Sequence, residues 1–367
     1  MGIESRHPHF VNTQEQWQRI RDSFNGSDSI KGEGESYLPR LGGQSNDEYD
    51  SYKLRAVYYN GIERTVRGLV GAVMRVDPII EVPKKIEALL GDITNTGVSL
   101  NDFISYMLSE QLLMGRQGIL VDRDNERPYL TGYSTEQITN WLDDRIILEE
   151  NYRRINKDDP YQSDYDIQYR ELVKDGNSYI VNVWQKFDAG WQIVEEIVPT
   201  RKGTQLTDIP FIGISGDGFN LSPSIPPMLA LSDTGISMYR TSADLEHGRH
   251  FTALPTPYVT GIDVDSVLKI GSGSAWILPD SSSRAGYLEF SGQGLQALEK
   301  AMEEKRSMMA SLGAQLLQSQ KAGIESADSI RLRQNAEAST LVGVVKTVER
   351  AIKQALITMA EWEGVAG

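Results

Sequence analysis

Apolar residues recur at helical spacing along 51–75, where Leu54, Val57, Tyr58, Ile62, Val66, Leu69 and Val70 form one stripe. The pattern predicts a single helix there. Arg55, Arg64, Arg67 and Arg75 lie largely off that stripe. They read either as a solvated face with ion pairs or as a surface for a neighbouring subunit or DNA. A second helix is predicted from Ser99, an N-cap residue with Asp102 three positions on. Its stripe is Leu100, Phe103, Ile104, Met107, Leu108 and Leu112, and it stops at Gly115. Gly118 to Val121 reads as a buried strand, and a short helix is expected near 135–142.

The period then changes from helical to alternating. Runs around 145–154, 165–174, 178–187 and 191–198 predict a β-meander, with Asp175-Gly176-Asn177 and Ala189-Gly190 as hairpin turns. Trp184 and Trp191 flank the second turn, and cross-strand packing is the expected use of both. A Gly-, Pro- and Ser-rich linker runs from Ile209 to Pro227, and a helix returns from Met228 to Phe251. Short strands are expected at 256–260, 275–278 and 286–290 around a helical piece at 263–270. A helix from Leu295 to Leu312 carries Leu298, Met302, Met308 and Met309; a break at 313–326 follows. The last predicted helix runs from Asp328 to Trp362 with the stripe Leu341, Val345, Val348, Ile352, Leu356 and Met359. At the α-helical rise it is ~50 Å long, which suggests a bundle, a coiled coil or a ring spoke. Residues 1–50, rich in Gly, Ser and polar side chains, read as an irregular arm.

Composition narrows the chemistry. The absence of Cys excludes disulfides, thiolate nucleophiles and cysteine metal sites, and fits a reducing compartment. No run of ~18 apolar residues predicts a membrane span, and the N-terminus lacks a signal-peptide core. A net charge of −14 argues against a protein that grips phosphates. It is compatible with a wall past which DNA must slide but does not select that role.

No phosphate-binding G-x-x-x-x-G-K-[ST] loop and no G-x-S-x-G elbow occurs. His247 and His250 sit three apart beside Glu246, a spacing that can turn two rings toward one metal. With no third ligand nearby, a helix-end role near the favourable C-terminal dipole is the stronger reading. The pairs Asp122/Asp124 and Asp263/Asp265 are the candidates for holding Mg²⁺ in phosphodiester cleavage, without supporting Lys or His in their sequence context. No catalytic residue, cofactor site or metal site is assigned.

Several stretches carry a resemblance. They are Ala243 to Gly261 (ADLEHGRHFTALPTPYVTG), Tyr49 to Val73, His7-Pro8 with Trp17 and Arg21-Asp22, and the Tyr37-Leu38-Pro39 turn. Taken in chain order they resemble the portal proteins of tailed bacteriophages, the ring through which DNA enters and leaves the capsid. The likeness extends with gaps from about residue 5 to 362. It implies an α+β portal fold. After the arm at 1–50 come a wing at 51–225 (helices plus meander), a stem helix at 226–251 and a small α/β clip at 252–291. A second stem helix at 292–313, a tunnel loop at 314–327 and a long helix at 328–367 complete the plan. The plan continues into a further wing segment and a crown, whereas this sequence stops five residues after Trp362.

The resemblance further implies a non-enzymatic virion protein at one capsid vertex, assembled in the host cytoplasm as a ring of about twelve copies. Double-stranded DNA would pass without sequence reading. The terminase large subunit and then a head-tail adaptor would dock on the clip, and the major capsid and scaffolding proteins would be further partners. Gln315, Gln318, Gln320 and Lys321 are the DNA-channel candidates. Trp276 and Tyr287 are the clip docking candidates or fill its small core. Met302, Met308 and Met309 suit a subunit interface that shifts, because Met repacks readily. A metal-dependent nuclease using the aspartate pairs, and another head or tail assembly protein, are the alternatives.

Overall fold

A computed structural model describes residues 2–124, 126–155, 159, 161–201, 203–216, 218–252, 256–261, 282–288, 293–314 and 327–365. It is a mixed structure of helices and antiparallel sheets. The first fifty residues, expected to be an irregular arm, are largely helical. Helix α1 (Pro8–Asn25) starts on a proline, whose missing N–H costs nothing in the first turn, and buries Phe10, Trp17 and Ile20. Those three apolar positions are diluted by polar neighbours, which hid the period. Helix α2 (Ser27–Gly32) follows.

The predicted helix at 51–75 is two helices, α3 (Asn46–Arg55) and α4 (Gly61–Val73). Ala56 is extended between them, and Asn60 caps α4 by accepting the Glu63 N–H. The hydroxyl of Ser242 accepts the Val57 N–H and donates to the Val57 carbonyl, both at 2.8 Å, so the break leaves no orphaned backbone there. Leu54 and Val57, assigned to one stripe with Ile62 and Val66, are exposed.

After α5 (Lys84–Glu87), helix α6 (Leu100–Met114) runs as predicted, with Ser99 as N-cap and left-handed Gly115 as C-cap. Strands β1 (Arg116–Arg123) and β2 (Pro128–Ser134) form a hairpin. The region near 135–142, expected to be helical, is instead strand β3 (Ile138–Trp141). Its β-branched and aromatic residues favour the pleat, and four residues are too few to show a period.

The meander is present as β4 (Arg145–Ile155), β5 (Ser163–Asp175), β6 (Ser178–Phe187) and β7 (Gly190–Ile197), ordered β3-β4-β5-β6-β7 in one antiparallel sheet. Gly176 and Gly190 take positive φ at the β5–β6 and β6–β7 turns. Two short strands, β8 (Thr200–Arg201) and β9 (Thr204–Gln205), pair with each other, and β10 (Phe211–Ser215) completes a sheet of order β10-β1-β2.

Helix α7 (Leu229–Thr252) precedes the strand pair β11 (Thr256–Thr260) and β12 (Arg284–Leu288). The strand expected at 275–278 and the helical piece at 263–270 lie outside the described residues. Helix α8 (Gln293–Met309) ends in a wider, π-type turn at Ala310–Ala314, and α9 (Ala327–Glu363) is the long final helix.

The chain divides into two compact units. The first comprises Met1–Asn25, Asn60–Asp233 and Ser311–Gly367. Its main core joins α6, β1, β2 and β10 to the C-terminal half of α9, where Val348, Ala351, Ile352, Ala355, Leu356, Met359 and Trp362 are buried. That half of the helix is therefore no free spoke. A second cluster, built around Ile138, Leu148, Leu172 and Val181, lies between the meander and the β10-β1-β2 sheet. The second unit comprises Gly26–Tyr59 and Thr234–Ala310. Its core is rich in tyrosine: Tyr37, Tyr49, Tyr52, Tyr58 and Tyr239 pack with Ile30, Leu38 and Ile236.

Two polar networks fix the first unit. Arg21 forks onto Glu110 at 2.9 and 2.7 Å and reaches Glu136 at 2.8 and 3.1 Å. The carboxylates raise its pKa further above the ordinary arginine value, overcoming the opposing effect of burial. Arg116 is fully buried against the indoles of Trp141 and Trp17, with no carboxylate in its hydrogen-bond set. It donates instead to Leu221 O, Thr135 O and Oγ1, and Ile138 O at 2.7 to 3.2 Å.

Candidate functional site

The second unit holds His247, His250, Tyr287, Met302, Met308 and Met309 among the residues singled out from the sequence. Its α7 segment and α8 run antiparallel: Gly248 lies against Leu295, while Ser237 and Thr241 meet Lys305 farther along. A Cβ at Gly248 would stand 2.7 Å from Leu295 Cδ2, so the glycine permits the approach. The Lys305 ammonium donates to Ser237 O at 3.0 Å and to Thr241 Oγ1. Desolvation, with Arg240 beside it, holds its pKa below the usual lysine value. Arg249 closes the other end by donating to Glu246 and Glu299, both at 2.8 Å.

Between these ties lies an open cleft of about 360 Å³. Val57, Met238, Leu245 and Met302 supply its apolar lining, and Arg249, Glu303 and Arg306 are among the charged residues around it. Sequence reading found Met302 but missed the cleft, Lys305 and Gly248. A helix of small residues, with Ser232, Gly235, Ser242, Ala243 and Gly248, was the available signal for close helix packing. The three methionines do not share a surface. Met302 lines the cleft, Met308 is exposed, and Met309 is buried in the chain's own packing, with its methyl near Gly235. Met309 is thus unavailable as an interface residue in this structure.

His247 and His250 do not converge on a metal. His247 packs edge-on against Tyr52 and Phe251, and desolvation, then Arg55, lowers its pKa. His250 Nε2 lies 3.2 Å from Arg55 Nη2, where a neutral ring accepts. Tyr52 donates to Asp244 at 2.6 Å, and burial followed by that bond raises the phenol's pKa. Beyond α7, the β11–β12 pair is tied at one end by Ser283 Oγ donating to Gly261 O at 2.8 Å. Tyr287 belongs to β12, opposite Pro257. Trp276, Gln315, Gln318, Gln320, Lys321, Asp263 and Asp265 lie outside the described residues.

In the first unit, Asp122 and Asp124 are engaged locally. Asp122 accepts from Tyr129 at 3.3 Å and pairs with Arg170 at 3.6 Å. Asp124 accepts the N–H groups of Glu126 and Arg127, both at 2.7 Å, which depress its pKa and pin the β1–β2 turn. Among the described residues, no group of three or more His, Asp or Glu is placed to hold a metal. No helix among them is long and apolar enough to cross a membrane. Trp184 and Trp191 serve the meander: Trp184 donates to buried Glu171 at 2.9 Å, and Trp191 packs on Tyr169 with centroids 4.8 Å apart. Of the four arginines on the predicted 51–75 helix, Arg67 pairs with Glu63 at 2.9 Å and Arg55 meets His250, while Arg64 and Arg75 are exposed.

The model of a family described as a domain of unknown function (DUF4055) matches residues 227–363. No curated protein matches the chain. Among solved structures, a chain from the neck of an empty gene transfer agent particle is 13% identical, with a TM-score of 0.47 over 81% of this chain and 77% of its own. A chain from the virion of a native gene transfer agent particle is also 13% identical at TM-score 0.47, over 91% and 87% of the two chains. A chain from the neck of the native particle gives TM-score 0.44 over 81% and 77%.

Proposed function

We propose that this chain is a portal-type subunit, a non-catalytic ring component of a phage-like virion through which double-stranded DNA passes. The observation that carries the reading is the order of elements in the second half of the chain. Helix α7 leads to the β11–β12 pair, α8 returns antiparallel to it, and the 37-residue α9 follows. That is the stem, clip, stem and long-helix order implied by the sequence resemblance. In this reading the strand pair belongs to the clip that receives the terminase large subunit and later a head-tail adaptor. In the same reading Gln315, Gln318, Gln320 and Lys321, which lie outside the described residues, are the candidates to meet the DNA. The α7–α8 pair, braced by Lys305 and Arg249, is the rigid stem, and rigidity suits a wall that must hold its shape while DNA moves. The same reading places the protein at one capsid vertex beside the major capsid and scaffolding proteins.

The test is the mass of the purified protein by light scattering, followed by negative-stain imaging of the same peak. The expected result is about twelve copies in a ring with a central hole. A monodisperse monomer at high concentration, from this chain and from a C-terminally extended one, would overturn the proposal.

A further inference from the structure

The segment before α1 is held on the first unit's sheet by an aromatic and cationic stack that the conduit reading does not use. The His7 ring lies parallel to the Trp141 indole, centroids 3.9 Å apart at 18°. Arg116 occupies the same indole, its Cζ 4.2 Å from the centroid. Around the stack, His7 N donates to Thr139 O at 3.0 Å, and Asn140 Nδ2 donates to Ser5 O at 2.8 Å. The Nδ1 atom of His7 accepts the His9 N–H at 3.1 Å, so it carries no proton.

We propose that this stack is a proton-sensitive latch, in which neutral His7 holds the N-terminal segment on β3 and protonation of the imidazole releases it. A proton added to the neutral ring goes to Nδ1, the only free lone pair. It removes the acceptor for His9 N–H and sets a second cation on an indole already occupied by Arg116. The titratable and charged groups that face His7 are His9 from α1, its ring 5.0 Å away, and Arg116 from β1. Arg6, beside it in sequence, is drawn toward Glu149 of β4 at 3.9 Å. None of these supplies a carboxylate to a charged His7. Burial, then His9 and Arg116, holds its pKa below the ordinary 6.5. The sign follows: above that value docked and released rings are both neutral and the latch is closed. As pH falls through it, the released ring takes the proton first and docking weakens, until the docked ring also titrates.

Amide hydrogen exchange on the full chain, corrected for intrinsic rates, tests this at pH 7.5 and 5.5 over peptides covering residues 2–12. His7→Phe keeps an aromatic stack that cannot charge. The expected result is a loss of protection on acidification roughly threefold or more greater in the unsubstituted protein than in His7→Phe. Parallel losses in both would overturn the latch. Imidazole C2 deuterium exchange in the unsubstituted protein gives an independent reading. A midpoint for His7 below 6.5 supports the latch, and one at or above 6.5 overturns it.

Discussion

Arg116 offers a test of whether shape or charge holds the first unit together. Its guanidinium spans three chain segments, reaching Leu221, Thr135 and Ile138 through four hydrogen bonds. Burial pushes its pKa down to about 9, which still leaves it charged at neutral pH. Arg116→Ala would strip the donors from three carbonyls and a hydroxyl and open space beside two indoles. At ~1 kcal/mol net for each hydrogen bond, and with a partly collapsed cavity, the expected cost is about 4–6 kcal/mol.

Arg116→Lys is the informative variant. An ammonium keeps the charge but has no planar fork, so it reaches fewer of the three segments. It should lose about 2–3 kcal/mol. Urea unfolding followed by tryptophan fluorescence is suited to the measurement, because Trp17, Trp141, Trp184, Trp191 and Trp362, five of the six tryptophans, belong to the first unit. If Arg116→Lys unfolds within ~0.5 kcal/mol of the parent, a buried positive charge is all the site requires, and the argument from fork geometry fails.

Two further predictions concern backbone and pH. A Cβ at Gly118 would lie 2.1 Å from Phe211 Cζ, so Gly118→Val should destabilise by about 2 kcal/mol through strain between β1 and β10; a melting temperature equal to the parent's would refute that. Asp92 accepts from Gly97 N at 2.8 Å, Thr96 N at 3.1 Å and Arg127 Nη2 at 2.6 Å, and its pKa is lowered chiefly by the Gly97 bond. Its contribution is therefore present above the ordinary carboxylate value of 3.8 and fades as pH falls below it. Asp92→Asn should flatten the acid limb of a stability-against-pH curve, and an unchanged limb would show that the loop contributes nothing to it.

Local chemistry determined much of this protein. Ser99 and Gly115 bound α6 because a cap hydroxyl and a left-handed glycine act within a few residues. Gly176 and Gly190 mark the meander turns for the same reason. The stripe through Val348, Ile352, Leu356 and Met359 was legible because one face of a helix repeats, and that face is the one buried. The order α7, strand pair, α8, long helix was also readable from patterning, and it is the order on which the functional proposal stands.

Tertiary structure decided what depends on partners distant in sequence. The stripe through 51–75 is continuous in sequence, yet the chain breaks at Ala56, where Ser242 satisfies the backbone from 185 positions away. Residues 138–141 became a strand because Ile138 and Trp141 could pair with Leu148 and Ile146. Nothing in the sequence around Arg116 marks it, and only the convergence of Trp17, Trp141, Thr135, Ile138 and Leu221 makes it a buried keystone. The cleft beside Met302 likewise exists only once Lys305 and Arg249 tie α7 to α8. Periodicity specifies which face of an element is apolar. It carries no information about which distant backbone groups will meet that face, and burial energy is settled by those meetings.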